Sequence, residues 1–278
     1  MFLKLVSNSI NRILSRLESM VAKPKLNLFQ TIWVNFRLLQ WKEALKLPIF
    51  IYGHYSLNTL SGGGRIKGEI YRGMIRIGMN RDWFYSSKTR GLLSVPAHTQ
   101  IVFNGSCFIG NGCTIRMSGQ GQLLIGSHAI ITSRVIICCE NNITIGDYAR
   151  ITFGCQVRDT NFHYFLDTSK MIIPQRRGKI SIGAACWIGN HCVVTKEAKI
   201  PDYSLTAQGS LLNKDYLKLN EGVDEPLFLV GTPAKIKGKG LKKRIMQCQE
   251  RQIDQFFYEN DTASYMDGKG YNYIYQDL

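Results

Sequence analysis

Bulky aliphatic residues recur every six positions along the middle of the chain. One series runs Ile182, Ile188, Val194, Ile200, Thr206 and Leu212. An earlier one runs Ile125, Ile131, Ile137 and Ile143, then shifts by two residues to Ile145, Ile151 and Val157. A period of six is neither the 3.6 of a helix nor the alternation of a half-buried strand. It suits a short strand followed by a tight corner, with one aliphatic side chain of each unit pointing inward and three units closing a triangular turn. Two positions before the aliphatic stands a small residue, at Cys107, Cys113, Ala129, Ala149, Cys155, Cys186, Cys192, Ala198 and Ser204. An Ile-Gly dipeptide occurs six times, at Ile77, Ile109, Ile125, Ile145, Ile182 and Ile188, and glycine fits a corner where a side chain would collide.

The rhythm stops once. Val157 and Ile182 lie twenty-five residues apart, which is not a multiple of six. An insertion in a solenoid must leave the wall as a loop, because residues kept inside would throw every later aliphatic out of frame. The spacing therefore predicts an excursion carrying Asp159, Thr160, Asn161, Phe162, His163 and Tyr164, and long loops on rigid scaffolds are where sites concentrate. His163 is the titratable candidate there, since histidine changes charge nearest neutrality. Asp159 is read either as a partner that orients the imidazole or as an exposed turn aspartate. His128 and His191 fall at repeat corners, and His54 and His98 in poorly patterned sequence.

Outside the repeats the pattern becomes helical. Leu3, Val6, Ile10, Ile13, Leu17 and Met20 form a heptad stripe with Lys4, Arg12 and Arg16 between them, which predicts an amphipathic helix over 1–22. It reads as a cap on the solenoid or as an attachment to an anionic membrane surface. In "NLFQTIWVNFRLLQWKEAL" the residues Phe29, Ile32, Trp33, Phe36 and Leu39 share one face of a second helix that ends before Pro48. "LKKRIMQCQERQIDQFFYEN" reads as a polar helix, followed by a weakly patterned tail. The expected organisation is a helical segment over 1–60, a repeat domain over 61–238 and a C-terminal helix and tail over 239–278.

Composition narrows the function. The chain has 278 residues, 45% of them hydrophobic, enough for one large core or two small ones. Lys plus Arg number 35 against 20 for Asp plus Glu, a formal charge of +15, which points to an anionic partner. Nucleic acid is set aside, because the basic residues are spread over termini and coils without a recognisable module. No apolar run approaches the ~18 residues of a membrane span. "MFLKLVSNSINR" breaks its apolar run at Ser7, so no cleaved signal peptide is expected and a cytoplasmic location follows. Of the eight cysteines, five occupy the small position of the repeat and read as packing. The spacings show no pair of C-x-x-C knuckles, so no structural metal is expected.

"KISIGAACWIGNHCVVTKEAKIPDYSLTAQGSLLNKD" followed by "VGTPAK" resembles the hexapeptide-repeat acyltransferases. The resemblance is nearest to the O-acetyltransferases of surface-polysaccharide biosynthesis, and these are similar to the maltose and galactoside acetyltransferases. It covers roughly 61–238, and its most specific parts are the repeat frame, "DTNFH", "WIG" at 187–189 and "GTPAK" at 231–235. It implies a left-handed parallel β-helix, mainly β, assembled as a homotrimer. It also implies acetyl-CoA as acyl donor, a carbohydrate acceptor, and His163 as the base that takes the proton of the attacking hydroxyl. The positions that match its coenzyme A groove are Trp187, Asn190, Gln208, Asn213, Lys214 and Lys235. Two features depart from the pattern. The acceptor-side asparagine has no clear match around "TSRVIICCE", and "YLKLNEGVDEPLF" lengthens the link before "VGTPAK".

Three other readings share the scaffold. An N-acetyltransferase would present the amine of an amino sugar or small molecule instead of a hydroxyl. A zinc enzyme would need a closely spaced histidine pair, which His128, His163 and His191 do not provide. A non-catalytic solenoid would use the excursion only as a loop, and His163 could then be replaced without consequence.

Overall fold

The computed structural model describes residues 24–79, 89–240, 247–260 and 262–271. The heptad stripe from Leu3 to Met20 lies outside the described residues. From Ile49 onward the chain coils into a parallel β-helix with three flat walls. The first wall stacks nine strands, Ile49–Ile51, Ile75–Met79, Cys107–Gly110, Ala129–Ile131, Arg150–Ile151, Trp187–Ile188, Leu205–Thr206, Leu227–Gly231 and Ala234–Lys239. The second stacks seven, Tyr55–Leu60, Gly91–Val95, Thr114–Met117, Ile136–Cys139, Gln156–Arg158, Val193–Thr195 and Leu211–Leu212. The third stacks six, Gly63–Ile66, Gln100–Phe103, Gln122–Ile125, Asn142–Ile145, Lys179–Ile182 and Lys199–Ile200. This is the expected fold class, with helical additions at both ends. The coiling starts at Ile49, about one coil's first two strands earlier than the expected boundary at 61.

Register turns the six-residue period into stacks. Ile109, Ile131, Ile151 and Ile188 lie over one another in the first wall. Ile115, Ile137, Val157, Val194 and Leu212 do so in the second. All are buried, and each fully buried aliphatic side chain contributes about 1.5–3 kcal/mol. The third wall explains the two-residue shift, because each of its longer strands carries two inward residues, as in the pairs Leu123 with Ile125 and Ile143 with Ile145. All nine small positions are buried, as packing between corner and core requires. Among the cysteines whose side chains are described, Cys138 is expected to react fastest with iodoacetamide at neutral pH, because it is half-buried while Cys107, Cys113, Cys139, Cys155, Cys186 and Cys192 are buried away from the reagent, and burial also pushes the Cys107, Cys139 and Cys186 thiols up. Cys138 is half-buried and also raised, against the pull of Arg116 and Arg158. A raised pKa leaves less thiolate near neutrality, so its labelling should speed up as pH rises; peptide mapping by mass spectrometry reads both outcomes.

The open first edge of the solenoid is closed by helix α1 (Leu28–Leu38), followed by the single turn α2 (Trp41–Ala44). An unpaired strand edge needs hydrogen-bond partners, and α1 supplies them from its inward face. The Thr31 hydroxyl accepts the Ile51 N–H at 3.0 Å. The Asn35 amide donates to the Ile49 carbonyl at 2.7 Å and accepts the Ile49 N–H at 3.1 Å. Gln30 does the same for both backbone groups of Tyr55. The helix is therefore turned with polar residues inward, and Phe29, Ile32, Trp33 and Phe36 face outward, while Leu39 beyond its end is buried. Replacing Asn35 with Leu should cost about 2–4 kcal/mol, since it strands a buried N–H and a buried C=O together; chemical denaturation measures the loss.

At the other end Asp215 caps α3 (Tyr216–Leu219), whose Tyr216 is fully buried over the last coil. The insertion read from "YLKLNEGVDEPLF" becomes this helix and the approach to Leu227–Gly231, which forms an antiparallel hairpin with Ala234–Lys239. The polar C-terminal helix is α4 (Gln247–Glu259).

Candidate active site

The excursion leaves the solenoid at the corner between the second and third walls, after Gln156–Arg158. Its neck is a short antiparallel ladder. The Gly178 N–H donates to the Asp159 carbonyl at 2.8 Å, Thr160 bridges Arg177, and the Asn161 N–H donates to the Arg176 carbonyl at 3.0 Å. Gly178 passes so close to the next coil that a Cβ there would come within 2.9 Å of the Lys196 Cβ. Lys196 in turn donates to the Gln175 carbonyl at 2.6 Å, tying the returning limb down.

Immediately beyond the neck the chain makes a three-residue turn. The His163 N–H donates to the Asn161 carbonyl at 2.7 Å, with Phe162 at φ +63°, a left-handed conformation that costs a bulky residue energy. Two groups hold it. The Phe162 N–H donates to the Thr160 hydroxyl at 3.1 Å, and the Arg176 guanidinium donates to the Phe162 carbonyl at 3.2 Å. Arg176 also forms a two-pronged ion pair with Glu140 of the preceding coil and lies 5.4 Å from the Tyr164 ring centre. The hydrogen bond to Tyr164 and the Glu140 carboxylate raise the Arg176 pKa. Arg176 thus grips the residues on both sides of His163, whose side chain is exposed to solvent.

Asp159 sits elsewhere than either expectation placed it. It is fully buried, and its two carboxylate oxygens accept the N–H groups of Glu140 and Asn141, each at 2.8 Å. Burial pushes its carboxyl up, opposed by those N–H groups. The reading as an exposed turn residue is corrected: Asp159 anchors the base of the excursion to the coil below, and its hydrogen bonds go to that corner rather than to the imidazole. Neither Arg176 nor Glu140 was singled out in sequence.

The six candidate groove residues fall on two edges of the second wall. Asn190 and Gln208 are exposed at successive corners between the first and second walls. Trp187 stands on the first wall beside them, with the Arg150 guanidinium 5.7 Å from its ring centre, and Lys235 is exposed on the closing hairpin. Asn213 and Lys214 follow Leu211–Leu212 at the opposite edge, the corner from which the excursion leaves. His163, His128 and His191 occupy three different corners, and among the described residues no three His, Cys, Asp or Glu side chains converge to hold a metal ion. A cavity of about 820 Å³ lined by Lys25, Asn27, His54 and Arg90 lies at the first coil, far along the solenoid from these residues.

No protein-family model matches the sequence, and no curated protein matches it. Several solved structures are similar. The polySia-specific acetyltransferase NeuO is 15% identical over 77% of this chain and 99% of its own, with a TM-score of 0.42. AntD, an N-acyltransferase from Bacillus cereus in complex with dTDP and 3-hydroxybutyryl-CoA, is 13% identical over 82% of this chain and 99% of its own, with a TM-score of 0.38. A hexapeptide-repeat acetyltransferase from Vibrio cholerae, VCA0836, is 23% identical over 51% of this chain and 72% of its own, with a TM-score of 0.35.

Proposed function

We propose that this chain is an acetyl-CoA-dependent O-acetyltransferase that acts on a sugar hydroxyl of a surface polysaccharide or its precursor. The observation that carries the reading is the frame break itself: a rigid solenoid interrupts its period to hold one exposed histidine, gripped on both sides by a single arginine. An alcohol is a poor nucleophile until its proton is removed as the new bond forms. His163 accepts that proton while the hydroxyl oxygen attacks the thioester carbonyl. The carbon–oxygen bond forms, a backbone N–H takes the oxyanion, and collapse expels coenzyme A as the thiolate, which the imidazolium can protonate. No acyl-enzyme step is required.

Asn213 and Lys214 share the corner of His163, whereas Trp187, Asn190, Gln208 and Lys235 stand across the second wall. In a homotrimer the groove is completed when the excursion of one copy meets the far edge of its neighbour. The exposed apolar tip, with Phe165, Leu166, Met171 and Ile173, favours such a contact. The lysines supply cations for the phosphates of coenzyme A. The experiment is thiol release from acetyl-CoA with a panel of hexoses, amino sugars and nucleotide sugars. Acceptor-dependent release supports the reading and begins to define the sugar; release only with amines would move it to N-acetylation, and no binding of acetyl-CoA would end it.

A further inference from the structure

We propose that the outward face of α1 and α2 is a membrane-contact surface that seats on an anionic bilayer interface, independently of the acyl-transfer reading. α1 is set with its polar side inward and its apolar side outward. Its polar residues are spent on the open strand edge, so its apolar stripe is left in water: Phe29 is 76% exposed, Ile32 51% and Trp33 48%. The following turn extends the same surface with Trp41 at 68% and Leu45 at 59%. The rings are pre-arranged, Phe29 stacked on Trp33 with centres 6.4 Å apart and Phe36 edge-on to Trp41 at 5.0 Å.

The charge around the patch selects the occupant. Arg37 lies 5.7 Å from the Trp33 ring centre, and Lys42 and Lys46 are exposed in the segment that carries the exposed Trp41 and Leu45. Between Leu28 and Lys46 the single acidic residue is Glu43. A second copy docking through the same face would set these cations against each other. An anionic headgroup layer meets them with opposite charge, and indole rings, apolar with one polar N–H, favour that boundary. An amphipathic helix with aromatic residues on one side and cations beside them is the form that lies in the interface plane. No helix among the described residues is long and apolar enough to cross a membrane, so the contact proposed is peripheral.

The test is sedimentation of the full chain with phosphatidylcholine vesicles, with and without phosphatidylglycerol, comparing it with Phe29→Glu/Trp33→Glu/Trp41→Glu and with a variant lacking residues 1–22. Binding is expected only with the anionic lipid, weakening as salt rises, falling about tenfold or more in the triple variant and persisting in the truncation. Every substituted residue is exposed, and the single variant Trp41→Ser with quenching by brominated lipid serves if the triple variant does not fold. Quenching of the native tryptophan fluorescence that drops in Trp41→Ser places this face in the bilayer. Equal binding by native and triple variants overturns the proposal. So does binding abolished by the truncation alone, which assigns the contact to the segment before Pro24, and so does a change of oligomeric state in the triple variant without loss of lipid binding, which assigns the face to a second copy.

Discussion

Replacing His163 with alanine should lower acceptor-dependent release of coenzyme A by about 10²–10⁴-fold, the usual worth of a positioned general base. The midpoint of thermal unfolding should stay where it is. His163 is exposed, and truncation of an exposed side chain is usually within about 0.5 kcal/mol of neutral. The turn that presents it is held by the Thr160 hydroxyl and by Arg176, neither of which depends on the imidazole. His163→Gln should lose as much rate as the alanine, since an amide can hydrogen-bond to the acceptor but cannot take its proton. Steady-state kinetics with acetyl-CoA and the best acceptor separates the possibilities. A loss in kcat at unchanged KM is the expected pattern. Retention of more than about a tenth of the rate would place the base on another residue, and a loss confined to KM for acetyl-CoA would make His163 a binding group.

What could be read in the sequence was what repeats. The inward aliphatics, the buried small position and the frame break are periodic features, and periodicity survives without knowledge of partners. The helix over 28–38 was legible as an apolar stripe, but not its orientation. Its inward face is chosen by the unpaired backbone of Ile49–Ile51 and Tyr55, an edge that exists only once the first coil has closed. The clamp around His163 was hidden for a related reason. Arg176 and Glu140 are 36 residues apart, and the stacking of coils that brings them together is interrupted in sequence by the excursion they secure. Asp159 looked like a turn residue because turns are where isolated aspartates usually sit. Its partners are backbone N–H groups one coil below, which carry no signature in side-chain pattern.

Asp159→Ala should be the substitution that most damages the fold of the site, at about 2–4 kcal/mol. The carboxylate is buried, and its removal leaves the Glu140 and Asn141 N–H groups without acceptors at the corner from which the second and third walls diverge. For a chain of this size the cost corresponds to a fall in melting temperature of about 3–7 °C. Asp159→Asn should be intermediate, because one amide oxygen can still accept while the amide nitrogen faces the second N–H. The loss should reach the chemistry indirectly: Glu140, displaced with its corner, no longer holds Arg176, and the turn at Phe162 loses one of its two restraints. Calorimetry alongside turnover distinguishes the anchor from an orienting partner of the imidazole. An anchor lowers the melting temperature and turnover together, in proportion across alanine and asparagine. An unchanged melting temperature with turnover lost would give Asp159 back to His163 and sink the anchor.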